Sequence, residues 1–256
     1  MNTEAEIREI FSHMRGLLTS YQEMGLDPPP VSADALGVSR RPEPKPVRRP
    51  AAPRVEEMKD RAVVPDRAAL LEALRDRIGD CRRCKLSKGR THLVFGEGSP
   101  EARMVFVGEG PGHDEDKVGR PFVGESGKLL TRIIENGMGL TRKDVYICNV
   151  VKCHPPKNRD PEKDEIEACL PFLQEQLRII GPEVICTLGR VAAQALLEKD
   201  FRITEQRGQW RSYRGIPLMP TFHPAYLLHN PSAKREVWED VKQIMTRLGL
   251  EVKFHG

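Results

Sequence analysis

Apolar residues along this chain fall into two kinds of pattern, and their alternation predicts the architecture. Short unbroken runs at 104–107, 145–150, 184–188 and 217–222 have the length and content of strands buried on both faces. A brief Val94-Phe95 piece precedes the first run, and 210–216 reads as a hairpin flank before the last. Between the runs, apolar positions recur at helical spacing: within 128–134, over 162–180 with a break or start near Pro171, over 191–197, and from Ser232 to about Leu248. Alternating strands and helices predict an α/β fold of three layers, α/β/α, around a central four-stranded parallel sheet.

Upstream the pattern changes twice. Ile7, Ile10, Phe11, Met14, Leu17, Leu18 and Tyr21 predict an amphipathic helix within 1–27, whose partner the sequence does not name. Residues 28–65 are rich in proline and arginine and poor in large apolar residues, the composition of a disordered linker. A further helical face, Leu70, Leu71, Leu74 and Ile78, opens the domain expected over 66–256.

Composition narrows the class. Hydrophobic residues make up 39% of the chain, enough for a packed core, and a net charge of +4 permits a nucleic-acid partner without demanding one. No apolar run approaches the roughly 18 residues of a membrane span. The first residues, MNTEAEIREIF, lack the apolar core of a signal peptide, so a cytoplasmic protein is expected.

Polar and glycine residues mark one edge of the expected sheet. The first strand runs into GEGPGHDEDKVGRPFVG, a Gly-rich turn toward a helix, where open α/β folds bind ligands. Glu109, Asp114, Glu115 and Asp116 would repel a phosphate, so the turn suits a neutral group or a reaction that develops positive charge. The second strand ends at Asn149, the third at Gly189 and the fourth at His223. All four tips are carboxyl ends of parallel strands and converge on one cleft.

Six cysteines in a reducing compartment argue for metal or catalysis over disulfides. Cys148 and Cys186 sit inside strand patterns and read as small buried hydrophobes. Cys81 and Cys84 form C-x2-C, and Cys153 and Cys169 complete a set of four. Four sulfurs suit zinc or an iron–sulfur cluster equally by ligand type; the long gap between the pairs favours a cluster over a compact finger.

GEGPGHDEDKVGRPFVG, ICNVVKCHPPKNRDP and TFHPAYLL, together with the four spaced cysteines, resemble the iron–sulfur uracil-DNA glycosylases of family four, from about Asp80 to Leu248. The resemblance implies a uracil-DNA glycosylase-like fold and a monofunctional enzyme. It would flip uracil out of single- or double-stranded DNA and hydrolyse its N-glycosidic bond, starting base excision repair. It implies a [4Fe–4S] cluster on Cys81, Cys84, Cys153 and Cys169, and a monomer is expected. Asn149 would read the uracil edge, Phe122 would stack on the base, and Glu115 would stand near uracil C5, with Gly108 and Gly110 shaping the pocket. His223 would stabilise the leaving uracil anion. Related glycosylases outside this class carry Asp at the Gly110 position, which leaves Glu109 as water-binder or electrostatic stabiliser. Leu227 would wedge into the base stack. Arg82, Arg83, Lys85, Lys88, Arg90, Lys152, Lys157 and Arg159 read as phosphate contacts. His229 departs from the family pattern, which often has arginine there. The rivals are a metal-stapled module that binds DNA without cleaving it, and a small-molecule or redox α/β protein.

Overall fold

The computed structural model describes residues 66–251; the expected helix over 1–27 and linker over 28–65 lie outside them. One sheet holds β1 (Glu97–Gly98), β2 (Met104–Gly108), β3 (Tyr146–Asn149), β4 (Val184–Leu188), β5 (Arg211–Tyr213) and β6 (Ile216–Thr221), in the order β1-β3-β2-β4-β6-β5. The inner four, β3, β2, β4 and β6, are parallel and are the four strands expected. The edges β1 and β5 run antiparallel to them. They widen the sheet to six strands: β5 falls within the hairpin flank expected over 210–216, while β1, only two residues long, follows the expected Val94-Phe95 piece rather than containing it.

Helices cover both faces: α1 (Arg67–Ile78), α2 (His113–Val118), α3 (Glu125–Arg132), α4 (Lys163–Ile180), α5 (Arg190–Leu196), α6 (Ile203–Gln206), α7 (Pro224–His229) and α8 (Lys234–Leu248). Successive side chains of a strand point to opposite faces. Accordingly Val105 and Val107 join the core beneath α1, α4 and α5, while Met104 and Phe106 join the core beneath α3, α7 and α8. A fully apolar strand therefore serves two cores at once, which is why the strands read as unbroken runs.

Helix α4 departs from expectation at Pro171, which lies inside one continuous helix of 18 residues. Proline removes the N–H that would bond the carbonyl of Glu167. Both residues are exposed, on the solvent side of the helix, where an unpaired carbonyl costs least. Leu173, Leu177 and Ile180 are buried on the opposite side and hold the helix together. A capping box between Glu162 and Glu165 closes its first turn. Among the described residues no helix is long and apolar enough to cross a membrane.

Candidate active site

The strand register aligns the carboxyl tips. Gly108 is level with Asn149 across β2 and β3, and Leu188 with Thr221 across β4 and β6. A hollow of about 610 Å³ opens above them, in the size range of small-ligand sites. Glu109, Gly110, Glu115, Phe122, Asn149 and His223 all line it. Gly108 lies beneath, buried and outside the lining. A Cβ there would come within 2.4 Å of Asn149 Oδ1 and 2.6 Å of Phe122 Cζ, so its role is to let those two side chains close together.

Asn149 is 1% exposed, and its Oδ1 has no hydrogen-bond partner. A buried acceptor left unpaired costs about 1–3 kcal/mol, so an atom of this kind marks a place for a donor that arrives later. Phe122 is buried beside it with φ at 54°, in the left-handed region. A bulky residue rarely adopts this conformation, and strain of about 1–3 kcal/mol is typical of such sites. Its ring lies 5.6 Å from that of His223.

His223 caps α7, and its Nδ1 accepts the N–H of Ala225 at 3.1 Å. A neutral imidazole accepting at Nδ1 carries its proton on Nε2. Burial pulls the His223 pKa down to about 4, against a smaller upward pull from Glu115, so the ring is neutral near pH 7. Its strand is anchored from behind. Thr221 Oγ1 donates to Asp240 Oδ2 at 2.5 Å, and Arg207 Nη2 donates to Asp240 Oδ1 at 2.6 Å. The sequence offered no sign of that buried network.

Glu109 has no side-chain hydrogen bond among the described residues. Burial, then the nearby charge of Asp160, pushes its pKa up to about 7, against the opposing pull of Arg190. Glu115 Oε1 accepts the N–H groups of Val123 at 2.8 Å and Gly124 at 2.9 Å. The acid that composition alone would leave in solvent is thus a staple for the loop carrying Phe122.

A second hollow is lined by Cys81, Cys84, Cys153 and Cys169, with Lys152, Arg83 and the apolar Ile78, Leu93 and Phe172. The cysteines come from the turn after α1, the loop after β3 and the middle of α4, and all are free thiols. Cations crowd them. Arg83 Nη1 is 3.2 Å from Cys81 Sγ, and Arg90 Nη1 is 3.3 Å from Cys153 Sγ. Lys152 is 1% exposed and donates to Asn149 O at 2.8 Å and Gln176 Oε1 at 2.6 Å. Burial drives its pKa down. Both of its acceptors are neutral oxygens, and burial favours its uncharged amine. Among the described residues no three His, Cys, Asp or Glu side chains are grouped to hold a single metal ion. Cys148 and Cys186 are buried within their strands.

Some expected contacts are reassigned. Leu227 is 1% exposed and packs in the core, so it cannot wedge into a base stack as placed. Its neighbours Tyr226 and Leu228, 42% and 40% exposed, line the hollow instead. Lys152 is too deeply buried to touch a phosphate. Arg90 is spent on Cys81 O, Cys153 Sγ and Asp80, and Arg159 on a paired bond to the buried Glu165. Asp160 and Asn158 line the hollow, where the sequence reading had only a loop.

The Uracil DNA glycosylase superfamily model matches residues 95–242. The chain belongs to the uracil-DNA glycosylase superfamily, in its type-4 group. It is 48% identical over 182 residues to the type-4 uracil-DNA glycosylase of Sulfurisphaera tokodaii, covering 68% of this chain and 83% of the relative. To that of Thermotoga maritima it is 48% identical over 183 residues, covering 69% and 94%. The Saccharolobus solfataricus protein of the same name is 44% identical over 186 residues, covering 70% and 86%. The superfamily match begins at residue 95, so it includes Cys153 and Cys169, while Cys81 and Cys84 precede it.

Proposed function

We propose that the hollow receives a uracil turned out of DNA, and that the chain hydrolyses the bond between that uracil and its deoxyribose. It is a monofunctional DNA glycosylase that opens base excision repair of deaminated cytosine. The observation that carries the reading is the buried, unpartnered Oδ1 of Asn149. Uracil offers an N3–H donor beside an O4 acceptor, and a carboxamide answers both. Cytosine presents the reverse pair and would leave buried polar atoms unmatched, which discriminates strongly.

The neighbouring groups supply the rest. Extrusion of a nucleotide costs a few kcal/mol, partly offset by stacking on an aromatic face such as Phe122. As the glycosidic bond breaks, its electron pair passes to uracil. The neutral His223 donates from Nε2 to the O2 that gathers this charge, in a pocket with little water to compete. Glu109, once ionised, faces the cationic sugar or orients the attacking water. Water adds to the sugar carbon, and its proton leaves for the carboxylate or solvent. Gly110 keeps the floor of the cleft open, and Glu115 holds the Phe122 loop against the base near C5.

Cys81, Cys84, Cys153 and Cys169 would hold a [4Fe–4S] cluster. Supporting this are the four thiols around one hollow, their surrounding cations, and the long sequence gap between the cysteine pairs. When bound, such a group supplies a crosslink between α1, the Asn149 loop and α4. The substrate is uracil-containing DNA, single- or double-stranded, and the protein acts as a cytoplasmic monomer.

The test is incubation with a uracil-containing oligonucleotide and a thymine control, followed by alkali, for wild type and Asn149→Asp. Wild type should yield strand breaks at uracil only. Asn149→Asp, which cannot donate to O4, should lose roughly a hundredfold or more. Tight binding with no breaks would leave a non-cleaving module, and unchanged uracil selectivity in Asn149→Asp would remove it from the pocket.

A further inference from the structure

The strained Phe122 is held from two directions. Glu115 takes the N–H groups just after it. Arg142, from the loop before β3, takes the carbonyls on the other side: Nη1 donates to Phe122 O at 3.1 Å, and Nη2 to Pro121 O at 2.8 Å. Nη1 also donates to Thr131 Oγ1 on α3 at 3.0 Å. The guanidinium is itself fixed. Its Nε donates to Glu97 Oε1 at 2.9 Å, Nη2 pairs with the same carboxylate, and Arg120 Nε holds Glu97 Oε2 at 2.7 Å. Arg142 and Glu97 are 16% and 18% exposed. The Phe122 carbonyl is pressed on α3, where a Cβ on Gly127 would lie 2.1 Å from it.

Nothing in the local sequence favours a left-handed phenylalanine. The strain must be met by contacts from elsewhere, because such conformations persist only where the surroundings over-determine them. The planar fork of one arginine satisfies two successive carbonyls, a side chain and a carboxylate at once, which an ammonium cannot do. It also gives a purpose to β1, a two-residue edge strand that carries Glu97 to this point.

We infer that Arg142, braced by Glu97, is a positioning residue that locks Phe122 in its left-handed conformation and so sets the face on which the extruded base stacks. This rests on the reading of Phe122 under the proposed function. Arg142 touches neither base nor sugar; it acts through Phe122.

A double-mutant cycle tests it. Arg142→Ala, Arg142→Lys, Phe122→Ala and the combined variants are compared with wild type in the single-turnover rate on uracil-containing oligonucleotide, in inhibition by free uracil, and in thermal midpoint. Arg142→Ala should slow excision roughly tenfold or more and weaken uracil inhibition, with Arg142→Lys between it and wild type. In the Phe122→Ala background the same changes should cost almost nothing further in rate or inhibition. Losses that multiply in the double variant would overturn the inference, since a merely structural arginine lowers both backgrounds alike. So would a normal rate in Arg142→Ala alongside a slow Phe122→Ala. A normal Phe122→Ala enzyme would instead overturn the stacking reading and this inference with it. If Arg142→Ala does not fold, the Arg142→Lys cycle decides by the same criterion.

Discussion

At the scale of single residues, two side chains that line the hollow are out of balance with their surroundings. Asn149 Oδ1 is buried without a donor, and Glu109 is held near pH 7 by burial and Asp160. The second makes a sign-definite prediction. The carboxylate of Glu109 forms as pH rises through about 7, while His223, pulled to about 4, stays neutral throughout that interval. If the ionised Glu109 serves the sugar cation or the water, the rate should fall about tenfold per pH unit below 7 and level off above it. Single-turnover rates measured between about pH 5 and about pH 9 would show this limb, and Glu109→Gln should lower the plateau and flatten the profile. A wild-type profile that keeps its limb in Glu109→Gln assigns the titration to another group. These imbalances could not be read from composition: an acid in a polar loop is solvated by default, and only the folded cleft withdraws the water.

At the scale of elements, the turns after β2, β3 and β6 bring residues to the cleft, whereas Gly189, expected there at the end of β4, does not line it. Helix α7 is the informative case. Its pattern marks Leu227 and Leu228 alike as apolar, but successive helical residues are about 100° apart, so a short helix at the rim of the core can bury one and leave the other half-exposed. The structure buries Leu227 and sends Tyr226 and Leu228 to the cleft mouth. Leu227→Ala should therefore cost about 2–5 kcal/mol of stability, seen as a lowered denaturation midpoint. Leu228→Ala should leave stability unchanged and slow excision from duplex more than from single strands, because only the duplex must be unstacked. Equal slowing on both substrates would deny Leu228 a part in extrusion. The choice between the two leucines depends on which face of α7 meets α3, a tertiary contact that a run of paired leucines does not encode.

At the scale of the whole molecule, the cysteine hollow joins three segments that the sheet alone leaves apart: the turn after α1, the loop that follows Asn149, and α4. A group bound there contributes its binding free energy to folding. Cys169→Ala should yield protein without iron and without brown colour, and with a thermal midpoint lower by at least about 4 °C. Iron content and colour equal to wild type would remove Cys169 from the ligand set. What the sequence determined by itself was the order of elements, the four inner strands, the shared edge of their tips and the identity of the residues there, because two-faced burial and strand-end placement are local, periodic signals. The tertiary structure alone decided which polar group is left unpaired, which arginine braces Phe122 and which lysine is buried beside the thiols. The arginine and the lysine each meet a partner 20 or more positions away, Arg142 the carbonyl of Phe122 and Lys152 the side chain of Gln176, and such partners meet only when the chain closes.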